Sequence, residues 1–346
     1  AGVCVLGSPA GYDLGRLNVG WYQSWTVQVN PARPGAVEFV QVIRLRDDAV
    51  TPQYDMWPPN WDTVAQAIVA NPGSLWLIGN EPDVESQDNC LPAEYAARYH
   101  ECYTFIKSRD SSARLSAAAI VQATPLRLRW LDQVLASYQT QFGQALPVNA
   151  WNIHVQIMPE VRDGWGCEIP PGLPDNQGTV YDLQQNASVE VFCSQVTAFR
   201  AWMRDRGYRQ LPLVISEYGA LMPSGHGYLG WGDEAAGDRM VSDYLAGTFV
   251  FCQTARDSGL GYSADGDRLV QRWAWYSLND RLPWFNGNLY GGGFNGSLCI
   301  AQGQPGAGSL TLFGQRYAAV TGVLRCRSTQ LPIVTISDSW PAVWQL

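Results

Sequence analysis

Short β-rich runs alternate with longer amphipathic helical stretches along most of the chain, a pattern that calls for a parallel sheet covered by helices. The runs predict strands at Leu17–Tyr22, Phe39–Arg46, Leu75–Gly79, Leu115–Ile120, Ala150–Val155, Leu213–Ser216 and Arg272–Tyr276. Between and after them the apolar spacing predicts helices near Trp61–Ala70, Pro92–Arg109, Leu126–Phe142, Val189–Arg206, Ala235–Asp257 and Leu312–Arg325. A closed β/α barrel needs eight strands, so one is missing. Its candidates are Thr51–Met56, or a double use of Val37–Arg46. The loops Gln156–Gly178 and Leu221–Gly232 are long and rich in Gly, Pro and Trp, and in such a barrel the loops after the strands build the active-site face. The fold class expected is therefore α/β, a single (β/α)8 TIM barrel spanning 1–346. No linker composition and no fixed-period repeat argue against it. The tail 328–346 is expected to strap the outside of the barrel.

Composition narrows the function. With 31 acidic against 23 basic residues the net charge is −8, which disfavours nucleic acid as a partner. No apolar run approaches the ~18 residues of a membrane span. Fifteen tryptophans and sixteen tyrosines suit stacking on sugar rings, beyond what fills a core. Among the eight cysteines there is no CxxC and no Cys/His cluster, so no structural zinc is expected. Cys102, Cys193 and Cys252 fall on the apolar faces of predicted helices and read as buried thiols. Cys4, Cys90, Cys167, Cys299 and Cys326 lie near termini or in loops, where one or two disulfides are expected. With the absence of a charged leader at Ala1, read as a signal already removed, they point to a secreted or extracytoplasmic protein. Asn186-Ala-Ser and Asn295-Gly-Ser are sequons of the kind that arise by chance.

His100, His154 and His226 form no HExxH, and there is no G-x-S-x-G elbow, Walker loop or post-strand GxGxxG. No metal and no cofactor are expected. What remains is a pair of glutamates, each directly after a hydrophobic strand: Glu81 in LWLIGNEPD and Glu217 in LPLVISEYG. At the C-terminal ends of barrel strands both side chains reach the mouth. Two carboxyl groups across one mouth can break a glycosidic bond, one protonating the leaving oxygen while the other attacks or activates water. Either glutamate alone is better explained as a strand end with an ion pair; together they favour catalysis.

Asn-Glu-Pro after one strand and Ser-Glu-Tyr-Gly after a later one resemble the clan A glycoside hydrolases. The likeness is nearest to the Asl1-like glycosyl hydrolase core, glycoside hydrolase family 128. NVGWYQSW (Asn18–Trp25), VEFVQVI (Val37–Ile43), LIGNEPD (Leu77–Asp83), WNIHVQ (Trp151–Gln156), LVISEYG (Leu213–Gly219), RWAWYS (Arg272–Ser277) and SLTLFGQRYA (Ser309–Ala318) follow in order. The resemblance implies a (β/α)8 barrel with Glu81 as acid/base after the fourth strand and Glu217 as nucleophile after the seventh. Where the family has an aromatic residue before Asn-Glu-Pro, this chain has Gly79. Where the family has His-Trp-Tyr near the sixth strand, it has His154-Val155-Gln156, which removes a sugar-facing aromatic.

Supporting roles follow from position and from the resemblance. Asn80 is expected to donate to the sugar 2-OH, with a loop cap as its plain alternative. His154 is expected to orient Glu217 or touch the sugar, unless it is a core histidine. Arg44 and Arg46 share a strand face, and one of them is expected to keep Glu217 ionised. Tyr218 points away from the mouth. By resemblance Trp275 floors the −1 sugar, and Trp21, Trp25, Trp165 and Trp231 are candidates for other subsites. The expected activity is retaining, endo-acting hydrolysis of a β-linked polysaccharide, most like a β-1,3-glucan, by a monomer. The alternative is a non-catalytic barrel that holds glycan with its aromatics. Retention requires carboxyl groups ~5–5.5 Å apart and a nucleophile whose pKa is depressed by hydrogen bonds.

Overall fold

A computed structural model describes residues 1–46, 57–224, 228–280, 296–300, 302–303 and 306–327. The strands are β1 (Gly2–Cys4), β2 (Trp21–Gln23), β3 (Glu38–Phe39), β4 (Gln41–Ile43), β5 (Leu75–Ile78), β6 (Arg114–Ile120), β7 (Ala150–His154), β8 (Leu213–Tyr218) and β9 (Arg272–Trp275). All pair in parallel, in the order β3-β2-β1-β9-β8-β7-β6-β5-β4. The two ends of that order, β3 and β4, are one stretch of chain interrupted only at Val40. Its first half pairs with β2 and its second with β5. The sheet therefore closes into a barrel of eight staves.

Double use of Val37–Arg46 was one expectation for the missing strand, and this stretch does close the ring. The stave that completes the count is β1, which at three residues is too short to show a period. The other candidate, Thr51–Met56, lies outside the described residues, as does the tail expected to strap the barrel. The strand predicted at Leu17–Tyr22 shortens to Trp21–Gln23 because the preceding residues turn: Asn18 adopts φ 54°, and the Val19 amide donates to Leu14 O.

Among the described residues six helices cover the barrel: α1 (Trp61–Ala70), α2 (Pro92–Arg109), α3 (Pro125–Phe142), α4 (Val189–Asp205), α5 (Glu234–Thr254) and α6 (Leu312–Arg327). Each of the first five starts where the sequence supplies a start signal. Asn60, Ser188 and Asp233 cap α1, α4 and α5 by accepting from Thr63 N, Val191 N and Ala236 N. Proline opens α2 and α3, where its missing N–H goes unmissed.

Side-chain alternation splits the core into two layers. Leu75, Leu77, Ala150, Val214 and Ala274 fill the barrel interior, whereas Trp76, Ile78, Trp151, Ile153 and Ile215 pack outward against the helices. Trp21 closes the interior at its N-terminal end, stacked under the Arg272 guanidinium at 4.8 Å; a Cβ on Gly2 would come within 2.5 Å of its ring.

All seven described cysteines are free thiols, so the expected disulfides do not form among the described residues. Cys4, Cys90, Cys167 and Cys299 each sit in their own buried environment. Cys4 accepts from Gln23 and donates to Ser216 O inside the barrel. Cys102 and Cys252 are buried as expected, while Cys193 is half-buried. The side chain of Cys326 and the sequon at Asn295 fall outside the described residues. Asn186 is buried, and its amide clamps Gln156 O, Leu221 N and Met222 N across two loops, which leaves it no room to carry a glycan.

Candidate active site

With β1 counted, Glu81 follows the fourth stave and Glu217 ends the seventh, the places the resemblance implies. Glu81 reaches the mouth through a sharp turn after β5. Gly79 has φ 92°, and a Cβ there would meet the Tyr95 ring at 3.2 Å, so glycine is required. Glu81 itself adopts φ 47°, a left-handed conformation that costs a glutamate roughly 1–3 kcal/mol and tends to be kept at functional sites. Its amide holds the turn by donating to Ala119 O at 2.9 Å.

Glu217 owes its direction to a bulge. Val214 faces inward and Ile215 outward, yet Tyr218 also faces outward, against Phe192 and Tyr244. Strict alternation forbids that, and the register with both β7 and β9 shifts in this stretch. The extra residue aims Ser216 and Glu217 together at the mouth.

The polar contacts then gather around the two glutamates. His154 Nδ1 lies 2.9 Å from Glu81 Oε1, and its Nε2 lies 3.1 Å from Ser216 Oγ. Trp25 Nε1 donates to Glu217 Oε2 and Gln156 Nε2 to Glu217 Oε1, both at 2.9 Å. One polar atom from each of Glu81, His154 and Glu217 falls within 4.8 Å of the others. Both imidazole nitrogens are committed to hydrogen bonds, so the cluster reads as an acid–base group.

Burial dominates its electrostatics. It pushes Glu217 up to about 7, Glu81 adds to the rise, and His154, Trp25 and Arg44 oppose it. The expected depression of the nucleophile's pKa is therefore not found in the substrate-free site: two donor hydrogen bonds do not outweigh desolvation beside a second carboxyl group. Burial also pulls His154 down, but the Glu217 and Glu81 carboxylates more than compensate and its pKa is raised.

The other predicted residues divide sharply. Asn80 is buried beside Glu81, its amide N–H on Asp88 and its side chain on Gln87. Arg44 bonds Asp88 at 2.5 Å and Gln87 at 3.1 Å, and acts on Glu217 through its field. Arg46 holds the carbonyls of Ser86 and Gln87. His154 orients Glu81, where Glu217 was expected. Trp25 is buried and serves as a donor to Glu217.

Trp275 corrects the expectation taken from the resemblance. Alternation turns Ala274 and Tyr276 inward and Trp275 outward, where its ring packs on Tyr218 and Tyr244 and its Nε1 donates to Gly296 O. The inward aromatic is Tyr276, edge-on to Trp25 at 5.8 Å. Trp21, at the opposite end of the barrel, is no subsite. Trp165 and Trp231 are 53% and 77% exposed, on the loops after β7 and β8. Gln156 and Ser216 escaped the sequence reading; Gln156 stands two residues after His154, just past the end of β7.

Behind Glu81 lies a fully buried ion cluster. Arg127 bonds Asp83 at 2.6 Å and Glu160 at 2.8 Å, and also the carbonyls of Cys167 and Glu168, tying the loop after β5 to the loop after β7. Arg127→Met leaves two buried carboxylates without a counter-charge, and chemical denaturation should show a loss of about 3–5 kcal/mol. A change under about 1 kcal/mol would mean the cluster is not what holds these loops.

Comparison with known proteins bears on the fold. Residues 8–159, which include Glu81 and His154, match the family model described as glycosyl hydrolase catalytic core. No curated protein matches the chain. Among solved structures it is similar to an endo-β-1,3-glucanase of glycoside hydrolase family 128, subgroup I, from Amycolatopsis mediterranei, at 18% identity and TM-score 0.54, covering 92% of this chain and 98% of that one. A subgroup II endo-β-1,3-glucanase from Sorangium cellulosum shares 15% identity with TM-score 0.56 over 92% and 97% of the two chains. A subgroup III curdlan-specific exo-β-1,3-glucanase from Blastomyces gilchristii shares 16% with TM-score 0.51 over 91% and 97%. The barrel is thus a fold shared with family 128 glucanases.

Proposed function

We propose that this chain, whose residues 8–159 match the family model described as glycosyl hydrolase catalytic core, hydrolyses β-1,3-linked glucan with retention of configuration. The observation that carries the reading is the buried pair itself. Glu81 and Glu217 each bring a carboxyl oxygen within 4.8 Å of the other, so the two carboxyl groups face each other across one mouth, as a double displacement needs. Glu81 gives its proton to the glycosidic oxygen as the C1–O bond breaks, and a lone pair of Glu217 forms the new bond to C1. Glu81 then takes a proton from water, the water oxygen attacks C1, and Glu217 leaves as carboxylate.

His154 holds Glu81 in place and links it to the Ser216 hydroxyl, which can accept from Nε2–H or donate to Nε2. Either tautomer of the imidazole is therefore accommodated while Glu81 changes protonation state. Exposed Trp165 and Trp231 on the mouth loops are suited to stack on sugar rings further along the chain. The choice of β-1,3-glucan is supported by the fold-mates, which are endo- and exo-acting on that polymer. The protein is read as an extracytoplasmic monomer.

A hydrolysis screen over defined β-glucans, mannans, xylans and galactans, with product analysis, tests the reading. Release of laminari-oligosaccharides or glucose from β-1,3-glucan is expected. Binding without hydrolysis of any polymer would instead favour the non-catalytic barrel.

Glu217 is pushed up to about 7 beside Glu81, so the coupled pair holds one proton below that pH and none above it. Above the upper limb no proton remains for the leaving group; below the lower limb no carboxylate remains to attack. kcat/KM is expected to form a bell on the acid side of neutrality, falling about tenfold per pH unit beyond its upper limb. A flat profile from about pH 4 to 8 would count against the pair.

A further inference from the structure

The two partners of Glu217 differ in kind. Trp25 Nε1 is a donor only, and its ring is held: the residue adopts φ 56°, its amide donates to Gln23 Oε1 at 2.7 Å, and its ring makes a T-shaped contact with Tyr276. Gln156 has both a donor and an acceptor. Its backbone is pinned by Val121 O on its N–H and by Asn186 Nδ2 on its carbonyl, so only the carboxamide can turn. Nε2 gives its one bond to Glu217 Oε1, while Oε1 of Gln156 is buried with no hydrogen-bond partner among the described residues. Turning the amide over therefore breaks no other bond.

We propose that Gln156 is a reversible positioning partner of Glu217, donating through Nε2 to the carboxylate and, after a half-turn of the amide, accepting through Oε1 from the carboxylic acid, while Trp25 remains the fixed donor to Oε2. A buried carboxyl group that gains a proton as the pH falls through neutrality needs partners that satisfy both forms, because an unmatched donor or acceptor is penalised in a dry site. The indole satisfies Oε2 in both forms as long as the proton goes to Oε1, and the amide makes Oε1 the oxygen that can take it. The other ionisable groups facing Glu217 are Glu81 after β5, His154 on β7, Arg44 after β4, Cys4 on β1 and Tyr276 after β9. Of these, none offers a neutral carboxamide. The proposal concerns the resting protein, where Glu217 titrates; in the proposed reaction Glu217 passes between carboxylate and glycosyl ester, so the test needs no turnover.

The Gln156 side-chain amide is followed by ¹H–¹⁵N NMR and the Glu217 carboxyl by ¹³C NMR in the resting protein, with Gln156→Met and Glu217→Gln supplying the assignments. The bonded N–H signal of Gln156 should be lost with the same midpoint as the Glu217 titration. An amide that keeps donating through that transition overturns the proposal. Trp25→Phe should raise the Glu217 midpoint by about one pH unit or more, because the ionised form loses its donor. Gln156→Met should move it by less than about 0.3 unit, because both forms lose one bond alike. Equal shifts in the two variants would make Gln156 a second fixed donor and refute the switch. If Trp25→Phe does not fold, the wild-type amide signal still decides. A protein that shows the coupled amide but hydrolyses nothing would sink the proposed function and leave this pairing standing.

Discussion

Glu217→Gln should lower turnover of β-1,3-glucan by roughly 10⁴–10⁶-fold while glycan affinity stays within a few-fold of the native protein. The amide has the shape of the carboxylate but no charge and negligible nucleophilicity, so the first bond to C1 does not form. Cleft shape and aromatic contacts are unchanged, and binding measured by calorimetry with a laminari-oligosaccharide should survive. The amide can still accept from Trp25 Nε1 through its oxygen, which keeps the side chain in place. Loss of binding in parallel with turnover would show that the substitution had disturbed the mouth. Unaltered turnover would remove Glu217 from the mechanism.

Why Glu81 and Glu217 could be found from sequence, and Gln156 and the direction of Trp275 not, is a matter of what a linear pattern carries. A glutamate directly after LWLIG or LVIS interrupts an apolar run, and in a parallel barrel that interruption has only the mouth to go to. Trp275 shows the limit. Its match to a family tryptophan rested on its place in a motif, whereas the direction of its ring depends on strand parity, and the inward position went to Tyr276. Gln156 lies two residues after His154, just past the end of β7, where a glutamine signals nothing until the carboxylate beside it is known.

The bulge at Ser216 and Glu217 has no sequence mark, because an extra residue in a strand leaves the composition of the run unchanged. The three-residue β1 was too short to show a period, although its absence from the count was visible as a missing stave. Arg44 illustrates the same point with charge: its nearness to the mouth was legible, but its partner Asp88 lies 44 residues away. A pairing over that separation is set by the closed barrel.

Glu81→Ala should slow glucan and other substrates with poor leaving groups by about 10²–10⁴-fold, but activated aryl β-glucosides far less. A good leaving group departs without a proton, so for it the lost acid matters only when water attacks the glycosyl-enzyme. The variant should also lose the upper limb of its pH profile, since the proton that limb reports has gone. Equal slowing of both substrate classes would argue that Glu81 positions substrate and does not protonate it. The two hydrogen bonds of His154 would then serve to orient Glu81 alone, with no change of protonation state to accommodate.

The division of labour between the two carboxyl groups is tested most directly by the configuration of the azide formed when azide is added to each alanine variant with an activated aryl β-glucoside. In Glu81→Ala the small anion occupies the space of the acid/base and attacks the glycosyl-enzyme from the leaving-group side, so the account predicts the β-glycosyl azide. In Glu217→Ala it enters from the vacated nucleophile's side and displaces the leaving group once, giving the α-azide. The reverse pairing of products would exchange the roles of Glu81 and Glu217, and an inverted product from both variants would contradict a covalent intermediate altogether.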